Sequence, residues 1–151
     1  MTTPSLWTTS DRALIEQRIK ALRADAKPLW GKMTVAQMLA HCQQPLRVAI
    51  GQLRLKRGLM GLLFGGMAKR RLLSDKPWSQ NMPTAPEFKV GGRHEFESER
   101  EALLGMVRRF GEGGPASLTK LPHPFFGELT PEQWNALQWR HLDHHLRQFG
   151  V

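Results

Sequence analysis

Apolar residues recur every three or four positions along most of the chain, and this period predicts α-helices. The first predicted helix follows Ser10-Asp11 and the second follows Thr34. The third opens with the capping-box sequence Ser98-Glu99-Arg100-Glu101, and the fourth follows Thr130-Pro131. We therefore expect an all-α fold. The apolar positions of the first and third helices are Leu14, Ile15, Ile19 and Leu22, and Leu103, Leu104, Val107 and Phe110.

The last predicted helix is defined at both of its ends. Thr130 supplies a capping hydroxyl, and Gln133 is placed to complete a capping box. Pro131 fits the first helical position, and Gly150 offers a left-handed stop. At 100° per residue, the stripe that should face the interior contains several polar side chains. Its members are Trp134, Gln138, His141, His145 and Gln148.

The second predicted helix has a histidine beside its apolar stripe. His41 flanks the stripe, so the spacing alone fits an interfacial side chain with ordinary hydrogen bonds as well as a metal ligand. Pro45 cannot donate to the carbonyl of His41, so we expect the helix to bend or open by one turn there. The stripe consists of Val35, Leu39, Cys42, Leu46 and Ile50.

His141 and His145 have the i, i+4 spacing that lets two imidazoles on one helix bind a single metal ion. Three of the six histidines of the chain lie within five consecutive positions here. Such a pair also fits a polar seam between helices, satisfied by neighbouring side chains or by water. A metal site needs a third ligand, and His41 is the best candidate.

Two stretches of the chain carry a resemblance to a known family. The sequences MTVAQMLAHC and LTPEQWNALQWRHLDHHLRQFG are similar to the DinB/YfiT-like superfamily, specifically to a bacterial branch described only as a domain of unknown function. The match spans most of the chain, from Trp30 to Val151. It implies an antiparallel four-helix bundle with a long irregular connection before its third or fourth helix. It also implies a divalent metal site whose ligands are His41, His141 and His145, with His144 adjacent but not a ligand.

The resemblance also implies a kind of chemistry. Three neutral imidazoles leave a divalent ion with at least one open position, which water or a thiol can fill. Relatives in the superfamily include thiol-dependent S-transferases and an isomerase that uses a low-molecular-weight thiol, so a metal-dependent thiol transferase or hydrolase is expected. The expected cofactor is zinc or nickel, with iron or manganese as alternatives. The expected partner is a small-molecule substrate, such as a low-molecular-weight thiol.

A stiff aromatic loop, Pro122-His123-Pro124-Phe125-Phe126-Gly127, lies just before the last helix and is followed by Glu128. One interpretation places His123 or Glu128 near the metal as a proton carrier or a support for a ligand. The other gives the loop a covering role, which we favour for Phe125 and Phe126. His144 is a third candidate, because it lies at the edge of the interior stripe.

Two segments between the second and third predicted helices are less regular. The stretch from Ser74 to Phe96 is rich in proline, glycine and polar residues, so it predicts a long connection that either covers the site or moves. The uncharged run from Gly58 to Ala68 is too short to cross a bilayer, which takes about 20 residues. We expect it to form a core helix that covers other apolar faces. The alternative is contact with an anionic membrane surface or a partner protein.

Length and composition fit a single domain over residues 1–151, since a chain of this size can bury a core without disulfides. Cys42 is the only cysteine, and its place on the apolar stripe predicts a core residue rather than a nucleophile. No basic region followed by an apolar run opens the chain, so the cytoplasm is the expected location.

The net charge of +9 keeps a second class of function open. The chain could be a non-enzymatic basic protein that binds nucleic acid or an anionic membrane surface. Against nucleic acid, the basic residues are spread over several segments, the chain has no tyrosine, and the common binding motifs are absent. A homodimer is also left open.

Overall fold

Five α-helices make up the regular structure of the computed structural model, which describes residues 4–151. Residues 1–3 lie outside the described part. They belong to the N-terminal segment on which the predicted location was based. The all-α prediction is confirmed, because residues 4–151 contain helices and no strand. The helices are α1 (Thr9–Ala21), α2 (Val35–Ala49), α3 (Leu59–Leu72), α4 (Phe96–Gly113) and α5 (Pro131–Gln148).

Capping boxes begin α2 and α5, the two helices that carry the candidate ligands. The Thr34 hydroxyl accepts from the backbone N–H of Gln37 at 3.2 Å, and the Gln37 side chain accepts in return from Thr34. Thr130 and Gln133 make the same pair of bonds at the start of α5. At the far end, Gly150 has a φ of 77°, as the left-handed stop requires.

The predicted starts of the other two helices were wrong. Helix α1 begins at Thr9, and Asp11 accepts a bond from the Ser5 backbone N–H at 2.9 Å instead of capping the helix. Helix α4 begins at Phe96, so Ser98 lies inside it and the expected capping box does not form. Phe96 packs against the core, and this contact extends the helix beyond its local signal.

Helices α1, α2, α4 and α5 share one core. Helix α2 packs against α4 and α5, and α1 packs against the same two helices. Helix α2 runs through Pro45 to Ala49, so the proline does not end it. Cys42 is buried in the core as predicted, and burial raises the pKa of its thiol, which keeps the sulfur protonated and unreactive.

Helix α3 forms where the uncharged run predicted a helix, but the expectation that this helix belongs to the core was wrong. Leu62 is 59% exposed and Leu63 is 65% exposed, whereas the buried residues of α3 are Gly61 and Gly65. These glycines lie directly against the backbone of residues 124–126. Helix α3 therefore rests on a loop by its backbone and turns its large side chains outward.

The long connection between α3 and α4 is irregular, as predicted, apart from a short 3-10 helix over Pro86–Phe88. Phe88 packs on the core beside α2, and the Gly92 carbonyl accepts from the Gln37 side chain at 2.9 Å. The connection thus lies over the start of α2. In the described part of the chain, every helix falls short of the length and apolarity that a bilayer span requires.

Candidate metal centre

Helices α2 and α5 bring three histidines together, and they are the three that the sequence proposed as ligands. The Nε2 atoms of His41 and His141 are 3.0 Å apart. One ring nitrogen from each of His41, His141 and His145 lies within 4.8 Å of the others. We call these three side chains the histidine triad. Two of them share a face of α5, and the third comes from α2 because the two helices pack side by side.

Two hydrogen bonds orient the rings of the triad. The Nδ1 of His41 lies 2.8 Å from the Phe88 carbonyl, and the Nδ1 of His145 lies 2.8 Å from the Gln148 side-chain oxygen. Both oxygens can only accept, so each Nδ1 carries the proton. In these neutral tautomers the Nε2 lone pairs are left free. Histidines that bind metals commonly donate their other ring N–H to a carbonyl or amide oxygen in this way.

Gln148 extends this support to the chain before α2. Its side-chain nitrogen donates to the Trp30 carbonyl at 2.7 Å while its oxygen accepts from His145. Gly31 has a φ of 78°, and a Cβ there would lie 2.8 Å from the Gln148 nitrogen. The glycine therefore leaves room for the amide that holds His145 in place.

Burial keeps all three imidazoles neutral near pH 7. It lowers the pKa of His41, although the Phe88 carbonyl acts in the opposite direction. Burial, and next the neighbouring His145, hold the pKa of His141 well below its ordinary value. The pKa of His145 falls to about 3, mainly because of burial. Neutral imidazole is the form that binds metal, so the triad is ready to coordinate without first losing protons.

The spacing of the triad fits a shared ion. Two nitrogens bound to one zinc at about 2.1 Å lie roughly 3.4 Å apart in a tetrahedral site. The separation of 3.0 Å between His41 and His141 is close to this value, and all three ring nitrogens lie within 4.8 Å of one another. Without an ion, the same 3.0 Å fits a hydrogen bond from His141 to His41. The histidines would then form a polar seam between α2 and α5, which is the alternative to a metal site.

Gln138 adds an unpaired polar group on the same side of α5. It is 1% exposed, and within the described chain neither atom of its amide has a hydrogen-bond partner. Gln138 precedes His141 by three residues, so the two side chains share a helix face. A buried amide without partners costs free energy unless water or a ligand reaches it. The Gln138 amide is therefore a buried donor and acceptor that a water molecule or a ligand would stabilise.

His144 lies beside the triad, between two tryptophans. Its ring centroid is 5.5 Å from that of Trp30, 5.8 Å from that of Trp78 and 5.1 Å from that of His145. His144 is half-buried, and burial is the main cause that lowers its pKa. Trp78 also contacts His141, with ring centroids 6.1 Å apart. The sequence did not predict this role of Trp78, because only the path of the long connection brings it over α5.

His123 is held within its own loop and away from the triad. Its Nδ1 accepts from the backbone N–H groups of Phe125 and Phe126 at 3.0 and 3.1 Å, and its ring packs on Trp134. Trp134 precedes His141 by seven residues, about 10 Å along a helix. The structure therefore gives His123 a loop-forming role, and burial lowers its pKa to about 4.

Glu128 also lies apart from the triad. Its side chain is exposed, and its backbone oxygen accepts from the Lys69 ammonium at 2.7 Å. Phe125 and Phe126 are half-buried, and their rings pack edge to face with centroids 5.2 Å apart. Of the three candidate catalytic residues, only His144 is in contact with the triad.

The family described as "Protein of unknown function (DUF1569)" matches residues 5–150, which is nearly the whole chain. No curated protein and no solved structure matches this chain.

Proposed function

We propose that this chain, which belongs to the DUF1569 family of proteins of unknown function, binds one divalent transition-metal ion through His41, His141 and His145. The observation that carries the proposal is the convergence of three neutral imidazole nitrogens from two helices. The hydrogen bonds to the Phe88 carbonyl and to Gln148 set the tautomers of His41 and His145. A polar seam between two helices has less need of imidazole rings held in one orientation.

We further propose that the four core helices form the antiparallel bundle of the DinB/YfiT-like superfamily. The packing of α2 and α1 against both α4 and α5 supports this arrangement. So does the position of the triad, which draws on α2 and α5 as the resemblance implies. Helix α3 is then an addition to the bundle.

The ion we propose is zinc or nickel, with iron or manganese as alternatives, because imidazole ligands suit several of these metals. When bound, it would supply Lewis acidity and lower the pKa of a coordinated water or thiol. His144 is the candidate proton acceptor, since its neutral ring touches His145 and is only half-buried. Trp30 and Trp78 are the walls against which a substrate would pack. The reaction we propose is transfer to or from a small cytoplasmic thiol, or a hydrolysis.

The metal proposal is tested with protein purified without a histidine tag. We expect near-stoichiometric metal by elemental analysis, and a melting temperature that falls when a chelator removes it. His41→Ala, His141→Ala and His145→Ala should each lose the metal and the thermal stabilisation. His144→Ala is the matched control, and it should retain both.

Two results would contradict the ligand assignment. Full metal occupancy in all four variants would mean that the ion binds elsewhere. Loss of metal only in His144→Ala would mean that His144 binds the ion together with ligands outside the triad. Circular dichroism of each chelated variant separates metal loss from unfolding.

A further inference from the structure

Helix α3 presents an exposed apolar surface that the metal site does not explain. Leu59 is 69% exposed, Leu63 is 65% exposed and Met60 is 62% exposed. Monomeric soluble proteins rarely leave so many large apolar side chains together in water. We call this set the α3 face; its members are Leu59, Met60, Leu62, Leu63, Phe64 and Met67.

The contact of α3 with the rest of the chain fixes which way these side chains turn. A Cβ at Gly61 would lie 3.0 Å from the Pro124 carbonyl oxygen, and one at Gly65 would overlap the Phe125 carbonyl. Leu63 lies about 160° around the helix from each of these glycines, and Leu59 lies about 160° from Gly61. The large side chains therefore cannot turn inward unless the helix leaves the loop.

Every charged residue between positions 54 and 71 is basic. Between Asp25 and Asp75 the sequence contains no acidic residue, and six basic residues flank or end α3. Within the described chain none of the six takes part in a salt bridge. They are Arg54, Lys56, Arg57, Lys69, Arg70 and Arg71.

A pocket is lined in part by the segment 53–57, which leads into α3. It has a volume of about 180 Å³, and Arg54 and Arg57 line it together with apolar side chains such as Leu55. A pocket with guanidinium groups at an apolar wall suits a phosphate bearing an acyl chain.

We propose that the α3 face docks on an anionic phospholipid surface, with α3 lying in the plane of the interface and its basic ends at the headgroups. A helix of 14 residues is too short to cross a bilayer but can lie on one. A second copy of the chain is a poorer occupant, because a two-fold contact would bring two sets of these basic residues together. The apolar side chains of the α3 face match the acyl chains of such a surface, and the basic residues on either side match its anionic headgroups.

The test uses the full-length chain and sedimentation with large vesicles. We expect binding to vesicles that contain phosphatidylserine, little binding to pure phosphatidylcholine, and a decrease in binding as salt rises. Leu63→Glu should weaken partitioning by about tenfold or more, since burying one leucine is worth at least that factor. The matched control is Leu14→Glu, at a leucine of α1 that is 55% exposed, and it should bind as the wild type does.

The charge contribution has its own pair of variants. Arg70→Glu should weaken vesicle binding, whereas Arg109→Glu, at an exposed arginine of α4, should have a clearly smaller effect. Three results would overturn the proposal: no binding to either vesicle, equal binding to both, or equal losses from Leu63→Glu and Leu14→Glu. A dimer in sedimentation velocity that Leu63→Glu dissociates, without vesicle binding, would assign the face to a second copy instead. None of these outcomes depends on whether the triad binds metal.

Discussion

Two buried glutamines on α5 differ in what surrounds them. Gln148 bonds to His145 and to the Trp30 carbonyl, whereas the amide of Gln138 has no partner within the described chain. Both lie on the face of α5 that carries the histidines. Gln148 therefore orients a histidine of the triad, whereas Gln138 only shares its surroundings.

Replacing each glutamine by methionine tests this difference. Gln148→Met should weaken metal affinity about 10–100-fold, because it removes the bond that orients His145. It should also lower the free energy of unfolding by about 1–3 kcal/mol for each polar group left unpaired. Gln138→Met is the matched control, and without metal its free energy of unfolding should stay the same or rise. Metal titration and urea unfolding measure both effects; equal losses of affinity would argue against a special role of Gln148.

His123 makes stability depend on pH. Burial lowers its pKa from an ordinary value near 6.5 to about 4, so the unfolded chain binds a proton that the folded chain excludes between these values. The stabilisation is complete above pH 6.5 and is lost as the pH falls towards 4. The triad histidines, whose pKa values are also lowered, act in the same direction.

We therefore expect the unfolding free energy of the chelated protein to fall below pH 6.5, by up to about 1.4 kcal/mol per pH unit for each such histidine. His123→Asn keeps an acceptor for the two backbone N–H groups and should reduce this slope. His94→Asn is the control: bonding to Glu99 raises the pKa of His94, so its removal should not reduce the slope. An unchanged slope in His123→Asn would show that His123 titrates normally in the folded protein.

At the scale of elements, α3 shows how two glycines can orient a helix. Gly65 lies against the Phe125 carbonyl, while a Cβ on its neighbour Gly66 would meet nothing within 4 Å. The same substitution at adjacent positions should therefore have opposite effects.

Gly65→Ala should lower the free energy of unfolding by about 1–3 kcal/mol, or release α3 from the loop, because the new methyl group has no space. Gly66→Ala should be neutral or stabilise the protein by up to about 1 kcal/mol through helix propensity. Urea unfolding gives the energies, and hydrogen exchange of the α3 amides reports whether the helix has detached. Similar results for both variants would mean that α3 does not pack on residues 124–126.

At the scale of the whole molecule, the net charge of +9 raises the question of nucleic acid. The longest stretch free of acidic residues surrounds the α3 face, whose side chains are apolar. Phosphate backbones are recognised by polar and cationic groups, so such a face is poorly suited to them.

We expect affinity for duplex DNA or RNA at about 150 mM salt to be no tighter than the ~10⁻⁴–10⁻⁶ M typical of non-specific attraction. Fluorescence anisotropy over a salt series measures it. Tighter binding that also depends on sequence would support a nucleic-acid function and would weaken the interpretation of the basic flanks as lipid contacts.

The sequence by itself determined the features that depend on neighbours along the chain. The capping boxes at Thr34 and Thr130 and the i, i+4 pair on α5 were predictable, because each involves residues within one helical turn. The composition and period also established the all-α class. His41 was the best candidate for the third ligand, but only the family resemblance favoured that role, since its spacing alone fitted an ordinary interfacial residue as well.

Tertiary structure decided what depends on segments far apart. The packing of α2 on α5 brought His41 to His141, and the path of the long connection brought the Phe88 carbonyl to His41. Tertiary packing also holds His123 within its own loop and leaves the large side chains of α3 exposed. An apolar helix satisfies the same sequence pattern whether it faces a core or a partner surface. Only the contact of Gly61 and Gly65 with a distant loop distinguishes these alternatives, because that contact fixes which side of the helix remains exposed.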